Sequence, residues 1–261
     1  MNALRDGIRR VNDAPAILFG VWLLQLGIGV LLGRAPALAD PLGPFDVVWA
    51  AYLAAWLFLA GGMIDRYARD RPTRSDGFFA ASGVFFFRFL RLAIVFSIPM
   101  TLLFWVRFRL PLAISFEGIS YAVIAVKLVS EYAMVRSVIE DRRSMINSIA
   151  AAVRFIVGNP GRVAILFLAQ SALSFIVSAA PVVFVMTTPA ADGTSVDAWS
   201  RFVAGQLVAL AGVWVMLVGW ASKASLYQSR LAHAGYVART QPAWPESPAA
   251  EAITASARSR S

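Results

Sequence analysis

The sequence predicts an all-α membrane protein with six transmembrane helices, and three observations predict it. Hydrophobic residues make up 59% of the 261 positions and charged residues only 15%, against roughly 45–50% and about 25% in soluble domains. Six apolar stretches of 15 to 24 residues occur along the chain, and about 20 apolar residues suffice to cross a bilayer. The segments between these stretches are alternately rich and poor in basic residues. We therefore expect a multi-pass helical bundle.

The six predicted spans follow one another along the first 220 residues. They run from Ala16 to Leu32, Val47 to Ile64, Leu92 to Val106, Leu112 to Ser130, Val163 to Met186 and Phe202 to Trp220. The third is the shortest, so we expect it to extend into Phe89 and Leu90. We assign residues 1–235 to the membrane domain. Residues 236–261 are rich in Pro, Ala and Ser, and this composition predicts a disordered cytoplasmic tail.

The charge pattern predicts that both termini are cytoplasmic. The segments on one face collect 19 Lys and Arg residues and those on the other face only 4, and cytoplasmic loops carry the basic excess. We expect a bacterial inner membrane. Cleavage after Ala37-Leu38-Ala39, which resembles a signal-peptidase site, is the alternative for the first helix. Its 17 apolar residues and the preceding Asp6 and Asp13 favour a retained helix.

An internal repeat predicts how the spans are organised. The tetrapeptide Ala-Ile-[Leu/Val]-Phe begins at Ala16, Ala93 and Ala164, each time near the start of an odd-numbered stretch. Each copy follows a segment that is too short or too charged to span a bilayer but has apolar residues at helical spacing. These segments are Asn2 to Asp13, Ser75 to Arg91 and Ser144 to Val157. We expect three repeats, each an interfacial elbow helix followed by a transmembrane hairpin. Six spans with similar flanks and no repeat are the alternative.

The layout resembles a known group of membrane proteins. The fourth stretch runs into Glu131-Tyr132 and Arg136, followed by Glu140-Asp141-Arg142-Arg143-Ser144. With this motif, the elbows and the hairpins, residues 1 to 235 resemble the bacterial six-helix YciC-like proteins and the membrane domain attached to some glycerophosphodiester phosphodiesterases. In those enzymes the chemistry belongs to a separate soluble domain. About 40 residues follow the last stretch here, so the resemblance implies a membrane module with lipid or protein partners and not an esterase.

A polar stripe on the fourth stretch is the first candidate site. At 100° per residue, Ser120, Lys127, Ser130 and Glu131 fall within about 100° of one another, and we expect such a stripe to face the bundle. At membrane depth it could bind a proton, an ion or a charged headgroup. If the helix instead reaches the interface by Ser130, Lys127 extends to the headgroups and Glu131 is hydrated. Both interpretations stay open.

A cytoplasmic rim of arginines is the second candidate site, because well-placed cations attract anionic headgroups. It consists of Arg66, Arg69, Arg71, Arg74, Arg142 and Arg143. Asp65, Asp70 and Asp76 alternate with the first four of these arginines. Aromatic platforms for bases do not accompany them, so we do not expect nucleic acid as a partner.

The residue types and motifs that the sequence lacks limit the functions that we expect. Absence of cysteine and a single histidine argue against thiolate, haem and cysteine-ligated metal centres, so we expect no metal and no cofactor. The sequence has no GxSxG, HExxH or Walker A motif, and we expect no enzyme. We predict a module that contacts lipids or binds a membrane-protein partner or a second copy of itself. The alternatives are a small-molecule or ion transporter using the polar stripe, and a membrane-embedded lipid-modifying enzyme.

Overall fold

The computed structural model describes residues 2–34, 44–70, 74–109, 112–141, 144–187 and 195–233. Within these ranges the chain forms eight α-helices and no strand. They are α1 (Asn2–Asn12), α2 (Pro15–Arg34), α3 (Pro44–Arg69), α4 (Ser75–Arg109), α5 (Leu112–Ile139), α6 (Met145–Gly158), α7 (Pro160–Thr187) and α8 (Ser195–His233). The predicted all-α class is confirmed for this part of the chain. The predicted tail 236–261 and the Ala37-Leu38-Ala39 segment lie outside the described residues.

Four of these helices are long and apolar enough to cross a bilayer. The qualifying segments are Val48–Arg69, Ser75–Arg109, Pro160–Ala180 and Trp199–Arg230. α1 and α2 qualify only as a pair, across a bend of 77°. α5 is not among the qualifying helices, and its second half carries Lys127, Glu131 and Arg136. The chain is therefore of the multi-pass membrane type, while the six spans and the cytoplasmic termini stay predictions.

Two of the three predicted elbow segments are separate helices. α1 ends at Asn12 and α2 begins at Pro15. α6 ends at Gly158 and α7 begins at Pro160, with Asn159 between them. Proline lacks a backbone N–H and suits the first position of a helix, which accounts for a new helix starting at both prolines.

The second predicted elbow is wrong as a separate element. α4 runs unbroken from Ser75 to Arg109 over 35 residues, a length of roughly 52 Å. No Pro, Gly or Asn lies between Phe85 and Leu92, so nothing in the sequence ends the helix there. Phe85, Phe89 and Leu92 are all buried and continue one packed face through the junction. Residues 75–91 are the first half of a long helix.

Small residues bring neighbouring helices close together. On α3, a Cβ at Gly62 would lie 2.5 Å from Ser82 Oγ of α4. On α1, a Cβ at Gly7 would lie 2.1 Å from Ser222 Oγ of α8. Neither distance leaves room for a side chain, so the first half of α4 packs tightly on α3, and α1 packs tightly on α8.

α6 packs on α5 through an aromatic contact and a hydrogen bond. The rings of Tyr132 and Phe155 have centroids 5.3 Å apart, and Arg136 Nη1 donates to the Asn147 carbonyl over 2.6 Å. Ser148 of α6 is fully buried. Each segment that precedes an odd-numbered apolar stretch therefore contacts the helix of an even-numbered stretch.

The three tetrapeptide copies lie in different surroundings. Ile17 is buried, whereas the corresponding Ile94 and Ile165 are exposed. The first and third copies lie in the opening turns of α2 and α7, and the second lies in the middle of α4. The three-repeat organisation therefore stays a prediction.

The chain divides into two compact units, Met1–Ser225 and Leu226–Ser261. All helix packing described for this protein lies within the first unit. In the second unit, the described residues complete the last turns of α8, where Ser229 Oγ donates to the Leu226 carbonyl over 2.8 Å. The predicted boundary at residue 235 stays a prediction.

Candidate functional site

An ion pair between the buried Lys223 and the half-buried Glu131 joins α8 to α5. Lys223 Nζ lies 2.7 Å from Glu131 Oε2, and the side chains are 3% and 15% exposed. Taking an ammonium group out of water is costly unless an opposite charge accompanies it. Glu131 supplies that charge, and the pair therefore couples the positions of α5 and α8.

The segment of α8 around Lys223 is buried on all sides. Ser222 and Ser225 are buried with it, as are Ala221 and Ala224. Five small or polar residues in succession let neighbouring helices approach the axis of α8. This part of α8 is therefore enclosed by protein, in contrast to the exposed Phe202, Val203 and Leu207 nearer its start.

α1 lies against this segment and adds an acidic residue. Ser225 Oγ donates to Asp6 Oδ2 over 3.1 Å. Gly7 provides the close approach, and Trp214 Nε1 donates to Asn12 Oδ1 over 3.0 Å. Because hydrogen bonds hold α1 at its middle and at its C-terminal end, it is docked along α8.

The four side chains of the predicted stripe on α5 differ in exposure: Lys127 is exposed, and the other three are half-buried. Lys127 is 67% exposed, and its Nζ lies 4.0 Å from Glu131 Oε1. Ser130 Oγ donates to the Lys127 carbonyl over 2.7 Å, and Ser120 is half-buried about three turns earlier. The expectation that the stripe faces the bundle is corrected for Lys127: it is exposed, and Glu131 pairs across to Lys223.

The predicted arginine rim is only partly available to a ligand. Arg66 is buried, with Nη1 3.5 Å from Asp70 Oδ1, and Arg69 Nε lies 2.7 Å from Asp65 Oδ1. Arg74 is exposed. The other three predicted members, Arg71, Arg142 and Arg143, lie outside the described residues. Two of the predicted rim arginines, Arg66 and Arg69, are thus paired with aspartates nearby in the sequence.

Lys223 and Asp6 are the residues that sequence reasoning misses. Their partners are 92 and 219 positions away, and helical spacing relates only residues within a few turns. One signal is present in the sequence: the chain has two lysines against 22 arginines, and one of the two lysines, Lys223, lies three residues after the last apolar stretch.

α6 has two faces of different character. Its inner face is buried against α5 and comprises Met145, Ser148 and Ala152. Its outer face exposes Ile146, Ala150, Val153 and Val157, which follow each other at helical spacing. Arg154 is exposed beside this stripe, and Arg162 is exposed just beyond it. α1 differs, because its exposed positions include Asn2, Arg5 and Arg9.

The cavities among the described helices include the following three. One of about 770 Å³ lies on α1 beside Arg5, Asp6 and Arg9. One of about 440 Å³ lies between α2 and α8 and is lined in part by Gln25 and Gln206. One of about 420 Å³ lies between α2, α3 and α4. The ion pair of Glu131 and Lys223 lines none of these three.

Metal ligands and relatives offer no further guide to the site. Across the residues that the structure describes, no group of three or more His, Asp or Glu side chains could hold a metal ion. No protein-family model, curated protein or solved structure matches this chain. The resemblance to the YciC-like group stays a prediction from the sequence layout.

Proposed function

We propose that this chain is a multi-pass protein of a bacterial inner membrane that binds anionic phospholipid headgroups through α6 and catalyses no reaction. The apolar outer face of α6, flanked by exposed arginines, is the observation that carries the proposal. In water, exposure of the apolar side chains of Ile146, Val153 and Val157 would be unfavourable. In the headgroup layer the same residues reach the acyl boundary while the arginines meet phosphates.

The charges beside α6 are available for that contact. Arg154 and Arg162 are exposed, and neither has an ionic partner among the described residues. A basic residue near an anionic bilayer surface contributes about 1 kcal/mol. Two such residues together favour anionic over zwitterionic lipid by roughly 30-fold, since about 1.4 kcal/mol corresponds to a factor of ten.

The test compares lipids retained by the full chain purified in detergent. Phosphatidylglycerol and phosphatidylcholine with the same acyl chains are added in turn, and bound lipid is counted by native mass spectrometry. We expect the wild-type chain to retain phosphatidylglycerol preferentially and the Arg154→Gln/Arg162→Gln variant to lose most of that preference. Arg201→Gln, which removes an exposed charge at the start of α8, is the matched control. Equal retention of the two lipids by wild type would contradict the proposal.

Transport is a second candidate, favoured by the pair of Lys223 and Glu131. Ionisable side chains within apolar helices often mark the path of a proton or an ion. Glu131 lies between a buried ammonium group and the exposed one of Lys127. A carboxylate in that position is suited to exchange a proton between the outside and the interior of the bundle.

Proton flux into proteoliposomes tests this candidate. A potassium diffusion potential drives the flux, and a trapped pH dye records it. Transport predicts acidification with wild type, its loss in Glu131→Gln, and its retention in Lys127→Gln. Flux no greater than that of protein-free liposomes would contradict proton transport.

A further inference from the structure

The apolar groove between α2, α3 and the first turn of α4 has a volume of about 420 Å³. Its walls are formed by Ile17, Gly20 and Val21 of α2, Leu59 of α3, and Phe78 and Phe79 of α4. The groove follows from the close contact of α3 with α4. A Cβ at Gly62 would lie 2.8 Å from Phe78 Cε2, so the Phe78 ring extends beside α3. Phe78 and Phe79 both line the same space as α2.

The lining of the groove suits an apolar chain. Among the described residues that line the groove, Ser75 is the polar one and none carries a charged side chain. A Cβ at Gly20 would meet nothing within 4 Å, so the space beside α2 is open there. The volume falls within the roughly 300–1,000 Å³ typical of ligand sites.

One end of the groove is suited to a phosphate. Ser75 lies at that end, and the exposed Arg74 immediately precedes it. Arg74 has no ionic partner among the described residues, Asp76 included. The first N–H groups of α4 are at the same end and favour an anion, and a guanidinium group matches phosphate with two parallel hydrogen bonds.

We infer that this groove binds a phospholipid, with one acyl chain between Gly20 and Phe79 and the phosphate at Arg74. The inference rests on the proposed lipid-binding function and names a specific site for it. This site is separate from α6, so the arginines of α6 determine the preference for anionic lipid, while the groove determines where an acyl chain is held.

Photo-crosslinking of the full chain in detergent tests the inference. The probe is phosphatidylglycerol with a diazirine in one acyl chain, and the labelled residues are located by peptide mass spectrometry. We expect label to concentrate on the residues that line the groove. Label spread evenly over exposed apolar positions, including Phe175 and Ile176 of α7, would overturn the inference.

Substitutions in the groove sharpen the test. Gly20→Leu fills the open space and is expected to lower groove labelling at least five-fold. Gly27→Leu is the matched control, because Gly27 is also on α2 and also has nothing within 4 Å but does not line the groove. Phe79→Ala, at an exposed position, removes part of the wall and is expected to lower labelling without threatening the fold. Unchanged labelling in both Gly20→Leu and Phe79→Ala would overturn the inference.

Competition separates the phosphate contact from the chain contact. Dioleoyl phosphatidylglycerol is expected to displace the probe from wild type better than dioleoylglycerol, which lacks a phosphate. The Arg74→Gln variant is expected to reduce this difference several-fold, whereas Arg201→Gln leaves it unchanged. An undiminished difference in Arg74→Gln would overturn the role of Arg74.

The crosslinking and lipid-retention experiments distinguish failure of the groove inference from failure of the proposed function. If the groove inference fails alone, wild type still prefers phosphatidylglycerol, and the preference still depends on Arg154 and Arg162, but label spreads beyond the groove. If the proposed function fails alone, label still concentrates in the groove, but wild type retains phosphatidylcholine equally well.

Discussion

Glu131 of α5 and Lys223 of α8 are bound to each other over 2.7 Å, although 92 positions separate them in sequence. Lys127, four residues before Glu131 on the same helix, is 4.0 Å away and exposed. The contact across helices is therefore closer and better shielded from water than the contact along the helix. Substitution of Lys223 therefore tests the contribution of the ion pair to stability, and substitution of Lys127 is its control.

Removal of one partner of the pair is expected to destabilise the protein by about 3 kcal/mol, because it leaves a buried charge without its partner. Glu131→Gln is expected to cost more than Lys223→Met. In Lys223→Met, the remaining Glu131 still has Lys127 nearby and some contact with water. In Glu131→Gln, the remaining Lys223 is buried and has lost the carboxylate with which it pairs. Unfolding in detergent, followed by circular dichroism, measures the change.

The double variant and the exposed lysine are the controls for this prediction. Glu131→Leu/Lys223→Met is expected to recover most of the stability, because apolar replacement of both partners of a buried pair is often neutral. Lys127→Met is expected to change the stability by less than about 1 kcal/mol. A large loss in Lys127→Met, or none in Glu131→Gln, would contradict the assigned pairing.

Gly7→Ala is expected to displace α1 from α8. A Cβ there would lie 2.8 Å from the Ser222 backbone nitrogen and 2.9 Å from the Val218 carbonyl oxygen, and backbone atoms cannot rotate away. Limited proteolysis should therefore cut the N-terminal segment faster than in wild type. Gly205→Ala has nothing within 4 Å and should be neutral or slightly stabilising, because alanine favours helix by about 1 kcal/mol over glycine. Equal behaviour of the two variants would refute the tight α1–α8 contact.

Introduced cysteines test the predicted orientation, since the chain has none of its own. Asn147→Cys on α6 is expected to react with a membrane-impermeant maleimide only after cell lysis. Arg109→Cys, at the end of α4, is expected to react in intact cells, because the basic excess predicts that its side is outside. Reaction of Asn147→Cys in intact cells would reverse the predicted orientation.

The sequence predicts the helices of this protein better than their contacts. All six apolar stretches lie in helices, and the breaks before Pro15 and Pro160 were recognisable because proline starts helices. Sequence reasoning misses the continuity of α4, because a phenylalanine-rich segment of mixed polarity is typical of an interfacial element. No residue near Arg88 ends a helix, so α4 continues through it. The partners of Lys223 and Asp6 cannot be predicted in this way, because helical spacing carries no information about residues on other helices.

Spin labels on α6 test the central claim most directly. Val153→Cys and Val157→Cys are labelled in the full chain reconstituted into bilayers of phosphatidylglycerol and phosphatidylcholine, and collisions with oxygen and with a water-soluble nickel chelate are compared. The account predicts that both positions favour oxygen, which partitions into lipid, whereas Arg5→Cys on the polar face of α1 favours the nickel chelate. Collision of the nickel chelate with both α6 positions as frequent as with Arg5→Cys would contradict the claim that α6 lies in the headgroup layer.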